Sequence, residues 1–296
     1  MISINKIISI LLCAPVLFMT SACGQSEKEF DPQKSFSVMS YNLRFANPSD
    51  GSNSWDKRKE RVTNLINFYE PGLVGTQEGL LHQLKFISRE LPYYQWIGKG
   101  RDNGTMEGEF SALFYDTRRF ELIENSEETF WLSKTPSKPS KGWDADFPRI
   151  VTVGIFKDKR TKRQFVVLNT HFDHVGDTAR LESAKLIVDT IRRNYSTMPV
   201  ILTGDFNATP GSKPYKVITG KNTVLRDAYH TSQTANVGPS FTFEGFTVQS
   251  ESQKRRIDYI FTNDRFEVKK HAIISSFNQF RYPSDHLPVI ATLQLK

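Results

Sequence analysis

Hydrophobic residues recur along this chain with two spacings, one typical of strands and one typical of helices. Alternation, or a short apolar run, predicts strands at 36–43, 73–77, 110–115, 129–132, 150–156, 164–169, 198–202, 257–261, 266–274 and 289–295. Apolar residues three and four apart predict helices that begin near Asp56, at Leu80 and at Asp177, whose carboxylate we expect to cap the third helix. Strands that alternate with helices are typical of an α/β protein.

The strands between residues 110 and 169 follow one another without an intervening helix, which predicts an antiparallel meander. The connection at 133–148 is an exception, because it is long and polar and carries Trp143 and Phe147. A loop of this length in a compact domain is often functional, but a tolerated surface insertion fits the composition equally well. Both interpretations remain open at this point.

The first 22 residues have the pattern of an export signal. Lys6 precedes an apolar run at 7–19, and three small residues stand directly before Cys23. This order resembles a bacterial lipoprotein signal, in which the Cys becomes the lipidated first residue; an ordinary secretory signal is the alternative. We therefore expect an exported, membrane-anchored lipoprotein, periplasmic or at the cell surface, with a polar tether at 23–35 and one folded domain at 36–296.

Composition narrows the classes of protein only a little. Among 296 residues we find no repeat typical of a solenoid. The two cysteines, Cys13 and Cys23, belong to the signal region, so the folded domain has no internal disulfide. The net charge of +7 permits an acidic ligand, but no basic run marks a nucleic-acid-binding arm. We expect a monomer.

Eight polar residues stand at the ends of predicted strands, where α/β sheets collect functional groups. They are Asn42, Glu78, His171, Asp205, Asn207, Asp258, Asp285 and His286. The central pair, Asp205 and Asn207, directly follows a buried strand. A carboxylate there can take a proton or hold a metal, and an amide can orient a water molecule or a phosphoryl oxygen. An Asx turn explains this pair alone, so the common position of all eight residues is what indicates a site.

The motifs around these residues resemble those of the endonuclease/exonuclease/phosphatase superfamily, whose members include nucleases, deadenylases, neutral sphingomyelinases and inositol-phosphate phosphatases. The resemblance is carried in chain order by Ser40-Tyr41-Asn42, Thr76-Gln77-Glu78-Gly79, Asn169-Thr170-His171, Gly204-Asp205-Phe206-Asn207, Arg256-Ile257-Asp258-Tyr259-Ile260 and Ser284-Asp285-His286-Leu287-Pro288-Val289. It implies an α/β (α+β) four-layer sandwich of two facing mixed β-sheets flanked by helices. The site is then expected at one edge, between the sheets.

The same resemblance implies a metal site. Glu78 would be the principal ligand of Mg²⁺, with Asn42 beside it and Asp285 as a further ligand. Mn²⁺ is the expected substitute. Oxygen ligands of this kind suit Mg²⁺, and the lack of clustered Cys and His argues independently against structural zinc.

The remaining residues would carry the catalytic chemistry. The resemblance implies that Asp205 activates the attacking water and that Asn207 orients the water or the phosphate. His286 would contact the phosphoryl oxygens, with Asp258 fixing its tautomer, and His171 would stabilise charge on the phosphorus.

Other polar residues receive no such role. Asp173 and His174 have no counterpart in the broader family and are expected to support the site from behind or to belong to a loop. Arg44 and Arg149 are candidates to hold the phosphate, but a surface position is the default expectation for each. The segment 241–246 resembles a family loop of unassigned role.

The leading hypothesis is an exported Mg²⁺-dependent phosphodiesterase, either nuclease-like or sphingomyelinase-like. A phosphomonoesterase acting on inositol or sugar phosphates is the alternative, although we find no clear basic motif of the kind that binds additional phosphates. A catalytically inactive binding module is an alternative of another class, and the presence of every metal, base and histidine position argues against it. The sequence does not identify the leaving group.

Overall fold

The computed structural model describes residues 31–221, 223–247, 254–275 and 281–296, and Asp31–Lys296 form one compact unit. The predicted signal peptide and residues 23–30 of the predicted tether lie outside the described residues. Residues 31–34 form a turn that leads into the first strand. Within the described ranges, no helix is both long enough and apolar enough to cross a membrane.

The described residues form thirteen strands and five α-helices. The strands are β1 (Ser35–Asn42), β2 (Leu73–Gln77), β3 (Tyr94–Ile97), β4 (Leu113–Asp116), β5 (Phe120–Leu122), β6 (Glu128–Trp131), β7 (Ile150–Asp158), β8 (Gln164–His171), β9 (Val200–Asp205), β10 (Leu225–Asp227), β11 (Asp258–Asn263), β12 (Phe266–Ile273) and β13 (Val289–Leu295). The helices are α1 (Trp55–Tyr69), α2 (Leu81–Glu90), α3 (Asp177–Asn194), α4 (Lys213–Thr219) and α5 (Ala228–Thr231). A 3₁₀ helix spans Pro48–Asn53.

The strands form two mixed sheets. The first has the order β12-β13-β1-β2-β4-β3, and the second has the order β10-β11-β9-β8-β7-β5, with β6 also paired to β7. In each sheet one central pair is parallel, β1 with β2 and β8 with β9, and the other pairs are antiparallel. A helix makes each parallel crossover, α1 between β1 and β2 and α3 between β8 and β9.

Three buried cores separate four layers. Inward-facing residues of both sheets, such as Val38 and Val167, form the central core. The outward faces pack against helices, Met39 with Ile66 of α1 in one core and Leu168 with Ile187 of α3 in the other. The expected sandwich of two facing sheets flanked by helices is confirmed.

Alternation along the strands also places the polar residues. Phe165 and Val167 of β8 lie in the central core, and Asn169 and His171 follow on the same face at the same spacing of two. In β9, Ile201 is followed in this way by Thr203 and Asp205. The space between the sheets therefore changes from apolar to polar toward one edge.

Two local expectations were wrong. The predicted strand 110–115 is not part of a meander, because β4 pairs with β2 and β3 in the first sheet, while β6, β7 and β8 pair in the second. Asp177 is the first residue of α3 rather than its cap, and Gly176 precedes it. The free backbone N–H groups of Thr178 and Ala179 donate instead to Asp144 Oδ2 and Oδ1 at 3.1 and 2.6 Å. The cap comes from the 133–148 loop, which no local pattern could indicate.

A buried amide joins the two sheets below the polar edge. Asn169 Nδ2 donates across the sandwich to the carbonyl oxygens of Thr76 and Ala112 at 2.8 and 3.0 Å. Its Oδ1 accepts from Gln77 Nε2 at 2.7 Å and from Thr203 Oγ1 at 2.9 Å. The hydrogen-bonding capacity of this fully buried amide is satisfied, two donors and two lone pairs.

The sheets approach so closely here that Gly75 is required. A Cβ at this position would lie 2.2 Å from Thr203 Oγ1 and 2.6 Å from Asn169 Oδ1. Its φ is ordinary, so the constraint is space rather than backbone conformation.

Replacing the amide is expected to weaken the sandwich. Asn169→Ala removes four buried hydrogen bonds where the sheets meet and leaves a cavity, so the free energy of unfolding should fall by about 3 kcal/mol even though Ala112 O, Gln77 Nε2 and Thr203 Oγ1 each keep another partner. Urea unfolding monitored by tryptophan fluorescence measures this change. The exposed Asn64 on α1 supplies the control, since Asn64→Ala should change stability by less than about 0.5 kcal/mol. Equal effects of the two substitutions would contradict the role of Asn169.

Candidate active site

Asp205, the last residue of β9, lies at the centre of the polar edge. Its Oδ1 accepts from the backbone N–H of Asn207 at 2.9 Å, so the Asx turn considered from the sequence is present. Its Oδ2 accepts from Asn42 Nδ2 at 3.0 Å. Burial raises the pKa of Asp205 to about 7, and the nearby charge of Asp258 adds to this effect. A carboxyl group with this pKa is suited to accept a proton near neutral pH.

His286 lies beside Asp205 and is held from behind by Asp258. Its Nδ1 is 2.9 Å from Asp258 Oδ2, and its Nε2 is 3.7 Å from Asp205 Oδ2. Burial alone would lower the pKa of His286, but the carboxylates of Asp258 and Asp205 outweigh it and raise the pKa well above the ordinary value. His286 is therefore a cationic donor.

The 241–246 segment supports this pair. Thr242 Oγ1 accepts from the backbone N–H groups of Ile257 and Asp258 at 3.0 and 3.1 Å, and the ring of Phe243 packs edge-on against His286 at 5.1 Å. The segment thereby fixes the position of His286.

Glu78 and Asn42 complete this side of the site. Asn42 Nδ2 is 3.0 Å from Glu78 Oε1, and the backbone N–H of Phe45 donates to Glu78 Oε2 at 3.1 Å. Burial would raise the pKa of Glu78, but the charge of His286 and these hydrogen bonds lower it. Glu78 therefore stays ionised.

Residues around the site depart from ordinary backbone geometry. Arg44, Glu78 and Asn207 have φ values of 56°, 62° and 45°, in the left-handed region that non-glycine residues seldom adopt. Strain of this kind is typical of functional sites. At each of these residues the backbone turns within two residues of the end of a strand, β1, β2 or β9.

The donor atoms fit a divalent ion with a preference for oxygen. One ligand atom each of Glu78, Asp205 and His286 lies within 4.8 Å of the others. Because His286 is held protonated, the carboxylate oxygens are the ligands this group offers, which suits Mg²⁺ or Mn²⁺.

The predicted ligands Asn42 and Asp285 adjoin this group. Asn42 directs its amide nitrogen toward the carboxylates while its oxygen accepts from Arg44 N at 2.9 Å. Asp285 lines the same cavity, and burial raises its pKa. Metal ligation by these two residues stays a prediction.

His171 faces Asp205 from the other side. Its Nε2 lies 3.5 Å from Asp205 Oδ2 and 3.2 Å from Asn207 Nδ2, while its Nδ1 lies 3.1 Å from Nη1 of Arg149. An arginine only donates, so Nδ1 is the acceptor and Nε2 carries the hydrogen, which faces Asp205 Oδ2, while Asn207 Nδ2 donates to the carbonyl oxygen of Phe172 at 3.0 Å. Burial and the charge of Arg149 hold the pKa of His171 well below its ordinary value, which keeps the ring neutral.

The structure brings all eight predicted site residues together, and it adds five that were missed or misjudged. Arg149, expected on the surface, is buried and lines the cavity with Arg101, Glu109 and Phe147. Arg101 and Glu109 belong to no motif, and only the length of the 133–148 loop pointed to Phe147. Asp173, which received no catalytic role from the sequence, accepts from Arg149 Nε at 3.3 Å.

These residues line a cavity of about 590 Å³. Glu109 Oε2 accepts from Arg101 Nη1 at 2.6 Å and lies 3.9 Å from His171 Nδ1. The Phe147 ring lies 5.0 Å from the Arg101 guanidinium and stacks with His174 at 6.1 Å. The cavity thus has Asp205, Glu78 and His286 on one side of His171 and a wall of arginines, glutamate and phenylalanine on the other.

Comparison with known proteins agrees with this geometry. Residues 39–286 match the endonuclease/exonuclease/phosphatase family. A solved endonuclease/exonuclease/phosphatase from Bacteroides vulgatus is 39% identical, with 88% of this chain and 99% of that chain covered and a TM-score of 0.84. A solved mannosyl-6-phosphatase from Bacteroides thetaiotaomicron is 40% identical, with 87% and 99% covered and a TM-score of 0.80.

Curated relatives are more distant in sequence. The uncharacterized protein L388 of Acanthamoeba polyphaga mimivirus is 28% identical over 80% of this chain and 91% of that protein. The chain also matches the CCR4-Not 3'-5'-exoribonuclease subunit Ccr4 of Emericella nidulans at 20% identity, but spans only 48% of its length.

The buried position of Glu109 should be visible in the pH dependence of stability. Burial raises its pKa from 4.5 to about 7, so between these values the folded protein binds more protons than the unfolded chain and loses stability as pH rises. Glu109→Gln removes this loss. The stability of the variant relative to wild type should therefore increase from pH 4.5 to pH 7, as measured by urea unfolding in EDTA. A difference independent of pH would contradict the raised pKa.

Proposed function

The chain belongs to the endonuclease/exonuclease/phosphatase family, and from that premise we propose that it hydrolyses phosphate monoesters of small sugars with the aid of Mg²⁺ or Mn²⁺. As a member of this family the chain is a metal-dependent phosphoester hydrolase. The proposal chooses the monoesterase, the alternative of the sequence analysis, over the phosphodiesterase that the sequence favoured.

The observation that carries the proposal is the cavity. Its volume of about 590 Å³ lies in the range of pockets that hold a single small molecule. Aromatic side chains from separate segments, Phe45, Phe147 and Phe243, line it together with the reactive groups. A monosaccharide phosphate fits such a space, and the relative described as a mannosyl-6-phosphatase supports this class of substrate.

The residues around Asp205 suit in-line attack of water on phosphorus. Asp205 accepts a proton from the water, and Asn207 orients it from the adjacent turn. His286 and the Nε2–H of His171 donate to the phosphoryl oxygens on which charge increases. The Asp258 carboxylate keeps His286 protonated and oriented, as the 2.9 Å contact indicates.

Glu78, with Asn42 and Asp285 beside it, would hold the divalent ion, and Asp205 adjoins this position as the base. When bound, the ion supplies Lewis-acid polarisation and balances the negative charge of the ester. The ionised state of Glu78 agrees with this role.

A phosphodiesterase is the second candidate, because the same three phenylalanines offer faces on which a nucleobase stacks. The sequence match to an exoribonuclease subunit also favours a phosphodiesterase, as a relative that shares the fold. Relative activity on a monoester and a diester with the same leaving group separates the two candidates.

We also propose that the chain is exported and anchored by lipid on Cys23. The basic residue, the apolar run and the small residues before Cys23 support this proposal. An exported monoesterase would act on phosphorylated sugars outside the cytoplasm.

The catalytic proposal predicts metal-dependent release of phosphate from mannose 6-phosphate. EDTA should abolish turnover and Mg²⁺ or Mn²⁺ should restore it, while Asp205→Asn should lower kcat by about 10³-fold because the base is lost. Asp264→Asn, at an exposed turn, is the matched control and should retain full activity. We expect p-nitrophenyl phosphate to be a better substrate than bis(p-nitrophenyl) phosphate. The opposite preference would favour the phosphodiesterase, and activity in EDTA would contradict the metal dependence.

The localisation proposal predicts covalent lipid on the protein. Cells that express the full chain and are fed radiolabelled palmitate should label it, and Cys23→Ser should abolish the label because the residue that would carry the lipid is lost. Cys13→Ser is the control and should retain the label. Export of an unlabelled wild-type protein would instead indicate an ordinary secretory signal.

A further inference from the structure

We propose that Arg101, Glu109 and Arg149 form a subsite that binds the hydroxyl groups of the sugar whose phosphate lies at Asp205. We call these three residues the hydroxyl wall. The inference rests on the proposed monoesterase function, because it identifies the part of the substrate that is not the phosphate.

The position of the wall suits the remote part of a phosphate ester. Glu109 Oε2 and Arg149 Nη1 lie 3.9 and 3.1 Å from Nδ1 of His171, whose Nε2 faces Asp205. The wall therefore adjoins His171, and the charge of Glu78 also acts on Glu109 and Arg101 in the same cavity. A monosaccharide whose phosphate contacts Nε2 places its ring hydroxyls within reach of the wall.

The charges of the wall favour a neutral group over a second anion. Arg101 pairs with Glu109 at 2.6 Å, and Arg149 pairs with Asp173 at 3.3 Å. Each guanidinium is thus balanced by a carboxylate. A second phosphate would have to compete with these carboxylates, whereas a hydroxyl group both donates and accepts and so uses both members of a pair.

The wall also keeps unused hydrogen-bonding capacity. Arg101 is 8% exposed, and among the described residues its buried Nε has no hydrogen-bond partner. The contacts of Glu109 with Arg101, Arg149 and His171 all use Oε2, so Oε1 can accept from a ligand. Arg101 Nε is closed off by the protein, with Asp102 Oδ1 3.7 Å away, so the capacity left for a ligand is Oε1 of Glu109, an acceptor suited to a sugar hydroxyl.

The wall is held rigidly before any ligand binds. Trp131 Nε1 donates to the carbonyl oxygen of Arg101 at 2.7 Å, and Asp173, which fixes Arg149, also accepts from the backbone N–H of Gly176 at 2.8 Å. Fixed donors and acceptors lose little conformational entropy when they bind, so they contribute to both affinity and specificity.

Kinetics on two monoesters test the hydroxyl wall. Mannose 6-phosphate offers ring hydroxyls, whereas phenyl phosphate offers none. Glu109→Gln should lower kcat/KM for mannose 6-phosphate by about 10- to 100-fold, mainly through KM, because one of the two carboxyl oxygens is replaced by an NH₂ group that cannot accept. The value for phenyl phosphate should change by less than about 3-fold. Arg101→Lys, which keeps the charge but loses the planar fork, should show the same selective loss.

Glu107→Gln is the matched control, since Glu107 is exposed on the same loop. It should leave both substrates unaffected. An equal loss on both substrates in Glu109→Gln would overturn the subsite and indicate that Glu109 acts through His171. If the wild type hydrolyses phenyl phosphate but not mannose 6-phosphate, the subsite is overturned while the monoesterase function stays intact.

Calorimetry separates failure of the function from failure of the subsite. If wild type hydrolyses neither monoester, the proposed function fails, and binding of mannose 6-phosphate in the presence of Mg²⁺ is measured instead. Binding that Glu109→Gln weakens would still support the hydroxyl wall. No binding, or equal binding by both proteins, would overturn it.

Discussion

The close approach of the two sheets at Gly75, Asn169 and Thr203 is the constraint on which the active site depends. Asn169 satisfies its own hydrogen-bonding groups with partners from both sheets, and Gly75 leaves the space for it. Glu78 directly follows β2 of the first sheet, and Asp205 is the last residue of β9 in the second sheet. Each lies two or three residues beyond the close approach of the sheets. Because the amide fixes the separation of the sheets, it also fixes the separation of these two carboxylates.

The site next to this close approach of the sheets holds several carboxylates together in a buried space. Burial raises the pKa values of Asp205 and Asp285, and repulsion from the neighbouring carboxylates, Asp258 and Glu78 respectively, adds to this effect. The protonated ring of His286 and the amide of Asn42 offset part of this repulsion. The negative charge that remains on the carboxylates favours a bound cation, which agrees with metal-dependent hydrolysis.

The part of the cavity beside His171 Nδ1 has a different charge pattern, because Arg101 pairs there with Glu109 and Arg149 pairs with Asp173. The 133–148 loop contributes Phe147, and Asp144 of the same loop caps α3, so the loop is tied to the body of the domain. The two interpretations left open for this loop are thereby resolved in favour of a loop that lines the cavity. This division of the cavity agrees with the small phosphate ester that we propose as substrate.

The sequence by itself determined an α/β protein and the eight polar residues at its strand ends, because strand alternation and the motifs at strand ends are local properties; the two-sheet sandwich followed from the family resemblance that those motifs carry. The sequence did not determine that 110–115 joins the first sheet, that Asp144 caps α3, or that Arg149 is buried beside His171. Those outcomes depend on contacts between residues far apart in the chain, which no local period records. Only the tertiary structure placed Arg101 and Glu109 in the cavity, since a salt bridge in a loop leaves no periodic trace in the sequence.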